Sequence, residues 1–174
     1  MATYDFLGAG HSLPYDAFGF SVLKAKVDLP ALIAAPQKLA LAATPNTPLT
    51  SFSGMVQNDI LNVFSVPRGT LIINCGIRVT TAEGATAAAT IGYDATTHLG
   101  VADPNGLIAT IDLNTAAATN GTYTLGEVGS AGGFDNVSGV VFDEAGNITM
   151  TFTTDDTYAV AIFEVFCTAV NVSV

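Results

Sequence analysis

The sequence predicts an all-β fold, an antiparallel β-sandwich of jelly-roll-like character entered through an extended N-terminal arm. Three observations carry that prediction. Apolar and polar side chains alternate with a period of two through "LIINCGIRVTT" (Leu71 to Thr81) and "NITMTFTT" (Asn147 to Thr154). Turn residues punctuate such runs at short intervals, and no long helical period occurs between them. With 174 residues, 49% of them hydrophobic, the chain can bury one real core, so residues 18–174 read as a single sandwich domain and residues 1–17 as the arm.

The arm carries Tyr4, Phe6, Leu7, Leu13 and Tyr15 among Gly, Ser, His and Pro, without either period. Disordered tails are poor in aromatics. Two readings follow: the segment folds back on its own domain, or it docks on a neighbouring subunit through those five side chains. "FGFSVLKAKV" (Phe18 to Val27) is the first strand, with Lys24 and Lys26 on one face and Leu23, Ala25 and Val27 on the other. Asp28 then caps a short helical turn that Pro36 stops. "QKLALAATPNTPLTSFSG" is a connection that can hold a short strand at Leu39 to Ala42.

"DILNVFSV" (Asp59 to Val66) is a strand, and "PRGT" turns it, Pro67 fixing φ and Gly69 supplying the permissive position. The next strand places Leu71, Ile73, Cys75, Ile77 and Val79 on one face, expected to share the core with Ile148, Met150 and Phe152. After "AEG", the Ala-rich "ATAAATIGY" leaves little bulk on either face, which suits close approach of another sheet or subunit. "GLIATIDL" (Gly106 to Leu113) alternates again; "SGVVFD" and "NITMTFTT" flank a turn at Glu144 to Gly146, and "YAVAIFEVFCTAVNVSV" runs as a long strand to the C-terminus. Between them, Asn114 to Asn136 is a Gly- and Ala-rich loop of a length that is often functional.

Charge excludes some partners. Charged residues make up 11% of the chain, against roughly 25% in average soluble domains, so the surface is largely Thr, Ser, Asn, Gly and Ala. Interface cores share that shortage of Lys, Glu and Asp. All five basic residues precede residue 79, while eleven of the fifteen acids follow it, for a net charge of −10. Such a face repels phosphate, and no basic stripe offers a nucleic-acid site. The N-terminus lacks a basic, apolar leader pattern, and the longest apolar run, Ala159 to Val170, is broken by Glu164 and shorter than the ~20 residues a bilayer requires. No membrane partner is expected.

Catalytic chemistry has few candidates. The histidines are His11 in the arm and His98 in a loop, and no triad signature accompanies either. Asp94 with "DPNG" (Asp103 to Gly106) offers oxygen ligands without the spaced acidic ladder of a calcium loop, and reads better as turn chemistry. The pairs Asp143-Glu144 and Asp155-Asp156 place adjacent residues on opposite sides, not converging as a glycosidase acid and base do. "LGAGHS" (Leu7 to Ser12) follows no strand and opens no helix, so it fails as a dinucleotide loop. Sequons at Asn136, Asn147 and Asn171 matter only in a secretory pathway. No cofactor and no metal are expected. Cys75 and Cys167 both lie in apolar strand patterns where a buried thiol is expected, and spacing alone does not establish whether they pair.

The block from Asn58 to Asp94 resembles a motif of tailed-bacteriophage structural proteins: a strand ending in V-P-x-G-T (Val66, Pro67, Gly69, Thr70), a strand of alternating aliphatics, then T-A-E-G-A-T-A (Thr81 to Ala87) leading to I-G (Ile91, Gly92). Arg68, where a small residue is usual, and a longer insert before Asn58 depart from it. The resemblance implies a head decoration (cement) protein or a small virion knob, built as a β-sandwich and often trimeric, with no catalytic role. It implies the major capsid protein and other copies of the chain as partners, on the outer surface of a capsid assembled in the host cytoplasm, where acidity suits the side away from DNA. The alternative is a knob or tail fibre component recognising a host glycan, for which Tyr123 with Glu127 is the one candidate pair. A hydrolase on a sandwich scaffold lacks a convergent acid, base and nucleophile.

Overall fold

The computed structural model describes residues 1–6, 20–35, 41–43, 47–84, 86–114, 122–125, 139–154 and 157–172. Two sheets form the domain. The chain runs through β1 (Thr3–Phe6), β2 (Phe20–Asp28), helix α1 (Leu29–Ala34), β3 (Leu41–Ala43), β4 (Thr47–Pro48), β5 (Ile60–Val66) and β6 (Thr70–Thr81). It continues through β7 (Ala88–Tyr93), β8 (Asp103–Asp112), β9 (Thr122–Leu125), β10 (Val140–Val141), β11 (Gly146–Phe152) and β12 (Ile162–Asn171). The first sheet has the order β4-β3-β1-β5-β11-β7-β8, the second β10-β6-β12-β2. β9 and β10 share one edge of β6, at Gly76 to Val79 and at Leu71 to Ile72.

Pairing is antiparallel apart from β1 on β5, which is parallel. Within the expected arm, therefore, Thr3–Phe6 is a strand of the first sheet. Asp59 explains the docking: its buried carboxylate accepts the Ala2 N–H at 2.6 Å and the Val56 N–H at 3.1 Å, and the Ile60 N–H reaches the Ala2 carbonyl at 2.7 Å. A burial that leaves backbone donors paired needs such a partner. Residues 7–17 lie outside the described residues.

The helical turn forms as its sequence dictates. Asp28 Oδ1 accepts the Ala31 N–H at 3.0 Å, Pro30 sits in the first turn where no donor is missed, and Leu29 and Leu32 are buried. The short strand expected at Leu39 to Ala42 appears as Leu41–Ala43. In the long loop of Asn114 to Asn136, Thr122–Leu125 is strand β9, and residues 115–121 and 126–136 lie outside the described residues.

The core gathers Leu61, Ile91, Ile148, Met150 and Phe152 from the first sheet with Leu23, Val27, Ile77, Phe163 and Val165 from the second. Ile148, Met150 and Phe152 are inward, as alternation predicts. β6 departs from the single face expected of it. Cys75, Ile77 and Val79 are buried, but Leu71 is only half-buried, Ile73 is 40% exposed and Ile72 is 0% exposed. The register against β12 slips between Thr168 and Ala169, which pair with Asn74 and Ile72, so Ile73 has no opposite number. One inserted residue moves every side chain beyond it to the other face. Arg78, past the slip, faces outward, where its guanidinium lies 4.0 Å from Glu164.

Candidate interaction surfaces

The motif residues of the Asn58 to Asp94 block have structural duties. Gly69 takes φ +76 in the turn from β5 to β6, and its N–H donates to the Phe142 carbonyl at 2.8 Å. Glu83 leaves β6 and fastens the chain entering β12: its carboxylate accepts N–H groups of Ala159 at 2.8 Å, Val160 at 2.9 Å and Ala161 at 2.6 Å. Gly92 permits close approach of β7 and β8, because a Cβ there would lie 2.0 Å from the Asp103 carbonyl oxygen. None of these groups faces outward to a ligand.

The polar candidates are likewise engaged in bracing loops. His98 Nδ1 accepts the Val141 N–H at 3.0 Å. Asp94 accepts both the backbone and side-chain N–H of Asn147, at 2.6 and 2.7 Å. Asp-Pro-Asn-Gly, expected as a turn, instead opens β8, where the register against β7 shifts and Asp103 accepts the Asn105 N–H at 3.1 Å. Glu144 accepts the Thr96 N–H at 2.8 Å; that backbone bond, then the Thr96 hydroxyl, holds its carboxyl below the ordinary range against a small opposing desolvation. Among the described residues, no group of three or more His, Cys, Asp or Glu is arranged to hold a metal ion, and no helix is long and apolar enough to cross a membrane. His11, Glu127, Asp155 and Asp156 lie outside the described residues.

Of the predicted contact residues, Tyr4 is on β1 with its ring edge-on to Phe52 at 5.4 Å and 74°. Burial, then the neighbouring Asp59 charge, raises its phenol pKa. Phe6 ends the same strand, opposite Leu41. Leu7, Leu13 and Tyr15 lie outside the described residues. Tyr123 pairs with Arg78 through β9.

What remains for partners is the outside of the two sheets. On the second, β2 and β12 alternate strictly, turning Val22, Lys24 and Lys26 outward beside Glu164, Phe166, Thr168 and Val170. Lys24 Nζ meets Glu164 at 3.1 Å and Lys26 Nζ meets Asp28 at 3.6 Å. Phe166 lies between Lys24 and Gly76, and the slip in β6 adds Ile73 to this face. Basic and apolar side chains are thus combined on one flat surface. The first sheet presents Ile60, Asn62, Thr149 and Thr3 instead, lining a cleft of about 250 Å³ that Tyr93, Asp94, Ala102 and Pro104 close, with Asp94 the one charged residue of that lining. Beside it, the β7–β8 loop exposes Leu99 at 49% and Val101 at 80%. Exposed apolar residues clustered by a cleft mark interaction sites more often than singly scattered ones do. Sequence reading missed Ile73 because the slip is a tertiary event; Leu99 and Val101 were visible as apolar residues in a turn-rich loop.

No protein-family model matches the chain, and no curated protein matches it. Solved structures do share its fold. A chain of the capsid of Ralstonia phage GP4 aligns with a TM-score of 0.52 over 98% of this chain and 98% of its own length. One from the cyanophage Pam1 capsid asymmetric unit aligns with a TM-score of 0.50 over 93% of each. Both are 12% identical to this chain, a level at which the likeness is one of fold.

Proposed function

We propose that this chain is a non-enzymatic structural protein of a tailed-phage virion, a decoration (cement) protein that binds the outside of the head and stabilises the shell. The observation that carries the reading is the end-to-end fold likeness to chains of two phage capsids, in which nearly the whole of each partner is matched. The chain's low charged content of 11% supports it, since a shell component must desolvate broad areas of its surface against neighbours. Net acidity supports the outer side of the head, away from packaged DNA.

The partners in this reading are the major capsid protein and further copies of the chain in a homotrimer, whose repeated contacts match a symmetric shell. Stabilisation follows from mass action, because a protein that binds only the assembled lattice shifts the lattice towards assembly. Residues 7–17 contribute to the contact through Leu7, Leu13 and Tyr15, while the backbone pairing of β1 holds the segment's start in the first sheet. Replacing those three with serine should lower occupancy on shells and leave the melting temperature unchanged; undiminished occupancy would remove the segment from the interface.

Copy number tests the reading as a whole. Quantitative mass spectrometry of purified virions should count on the order of hundreds of copies per particle, as a repeated shell lattice requires. A count of roughly a dozen or fewer would place the chain in the tail and favour the glycan-recognising alternative.

A further inference from the structure

Cys75 and Cys167 lie 92 positions apart in the chain, yet β6 and β12 set them directly opposite one another. Both are buried free thiols, with their Sγ atoms 3.0 Å apart. Directly opposed strand residues hold their Cβ atoms about 4.5–5.5 Å apart, and a disulfide wants about 3.8 Å, so closing a bridge requires a small local contraction. The backbone beside the pair allows one. The β6–β12 register slips between Thr168 and Ala169, one residue beyond Cys167, and Gly76 adjoins Cys75. A slip of that kind bends and over-twists the strand, and a glycine neighbour adds no side chain to resist the shift.

We propose that Cys75 and Cys167 form a latent oxidation site, which a hydroperoxide converts into a cross-strand disulfide tying together the two central strands of the second sheet. Desolvation, then the facing Cys75, raises the Cys167 thiol well above its ordinary pKa, so the closed sheet is unreactive and oxidation proceeds through local opening. In the opened state one thiolate attacks the O–O bond, forming a sulfenic acid and releasing hydroxide, which takes up a proton as water. The second thiol attacks the sulfenic sulfur; the S–O bond breaks and the oxygen leaves as a second water. Two thiols supply two electrons and one hydrogen peroxide becomes two waters. The product constrains the unfolded chain across a long loop and raises the melting temperature by about 5–15 °C. The timing rests on the virion reading above: the site stays reduced in the host cytoplasm and closes once particles meet an oxidising medium. The chemistry does not depend on it.

Trypsin separates the two cysteines, because Arg68 and Arg78 bracket Cys75 while no Lys or Arg follows Arg78. The isolated protein is treated with hydrogen peroxide across urea concentrations below its unfolding transition. Remaining thiols are then alkylated and the denatured protein digested without reductant. The expected product has lost two hydrogens, keeps peptide 69–78 joined to 79–174 until dithiothreitol is added, and melts at the higher temperature; a Cys75→Ala/Cys167→Ala variant shows no such rise on treatment. Separate peptides carrying free, sulfinic or sulfonic cysteines, in urea that lets iodoacetamide reach both thiols, would overturn the proposal. So would a link between two chains, or a melting rise that persists in the double variant.

Discussion

Replacing Glu83 with alanine removes one side chain and strands three backbone donors. In the folded chain its Oε1 accepts from Ala159 at 2.8 Å and its Oε2 from Ala161 at 2.6 Å, while Val160 adds a third donor at 2.9 Å. The Val160 bond is exposed, so water takes it over at little cost. The other two are partly buried. Hydrogen bonds to a charged group contribute about 1.5–3 kcal/mol each, and partial exposure trims that, so the two together come to about 2–4 kcal/mol. For a chain of this length such a loss lowers the melting temperature by about 5–15 °C. Urea unfolding followed by circular dichroism and tyrosine fluorescence measures it, since the chain has no tryptophan. Glu83→Gln, which keeps one acceptor oxygen, should fall between wild type and Glu83→Ala. An alanine variant within about 0.5 kcal/mol of wild type would mean that this carboxylate does not fasten the entry to β12.

Four further substitutions test other contacts. Ile72→Ala should cost about 2–4 kcal/mol and Ile73→Ala less than about 0.5, because the slip in β6 buries the first and exposes the second; equal costs in urea unfolding would contradict the slip. Tyr158→Phe should cost about 1–3 kcal/mol by the same assay, since its buried hydroxyl donates to the Ala88 carbonyl at 2.8 Å and accepts the Thr154 N–H at 3.1 Å; an unchanged midpoint would refute that network. Glu144 is depressed in the folded state, so its contribution is fully present above the ordinary glutamate range and is lost as pH falls through the folded value. Glu144→Gln should therefore flatten the acid limb of the stability–pH curve, and an identical limb would remove the Thr96 contact from the account.

Local patterns carried the sequence reading as far as local physics reaches. β11 announces its inward face through Ile148, Met150 and Phe152, and the Asp28 cap with Pro30 marks the start of α1, because alternation and capping depend on near neighbours alone. β6 shows the limit. Five aliphatics at a period of two describe a regular strand, and nothing in "LIINCGIRVTT" reveals that β12 will pair with it one residue out of step. The same holds for β1, whose parallel place beside β5 depends on Asp59, more than fifty residues away. Conversely, the motif read as turn and strand chemistry has that meaning in three dimensions: Gly69 turns, Glu83 clamps and Gly92 clears space. The interaction surfaces were less legible, because sheet faces made of Val22, Phe166, Ile60 and Asn62 have no signature in one dimension. They arise only when strands are laid side by side.

Cryo-electron microscopy of intact virions decides whether many copies of this sandwich coat the outside of a phage head. Density for the seven- and five-stranded sheets is expected on the outer surface of the capsid, repeated at symmetry-related positions and making contact with the major capsid protein. Heads whose outer surface lacks that density, with the sandwich found at the tail or on the inner wall, would contradict it.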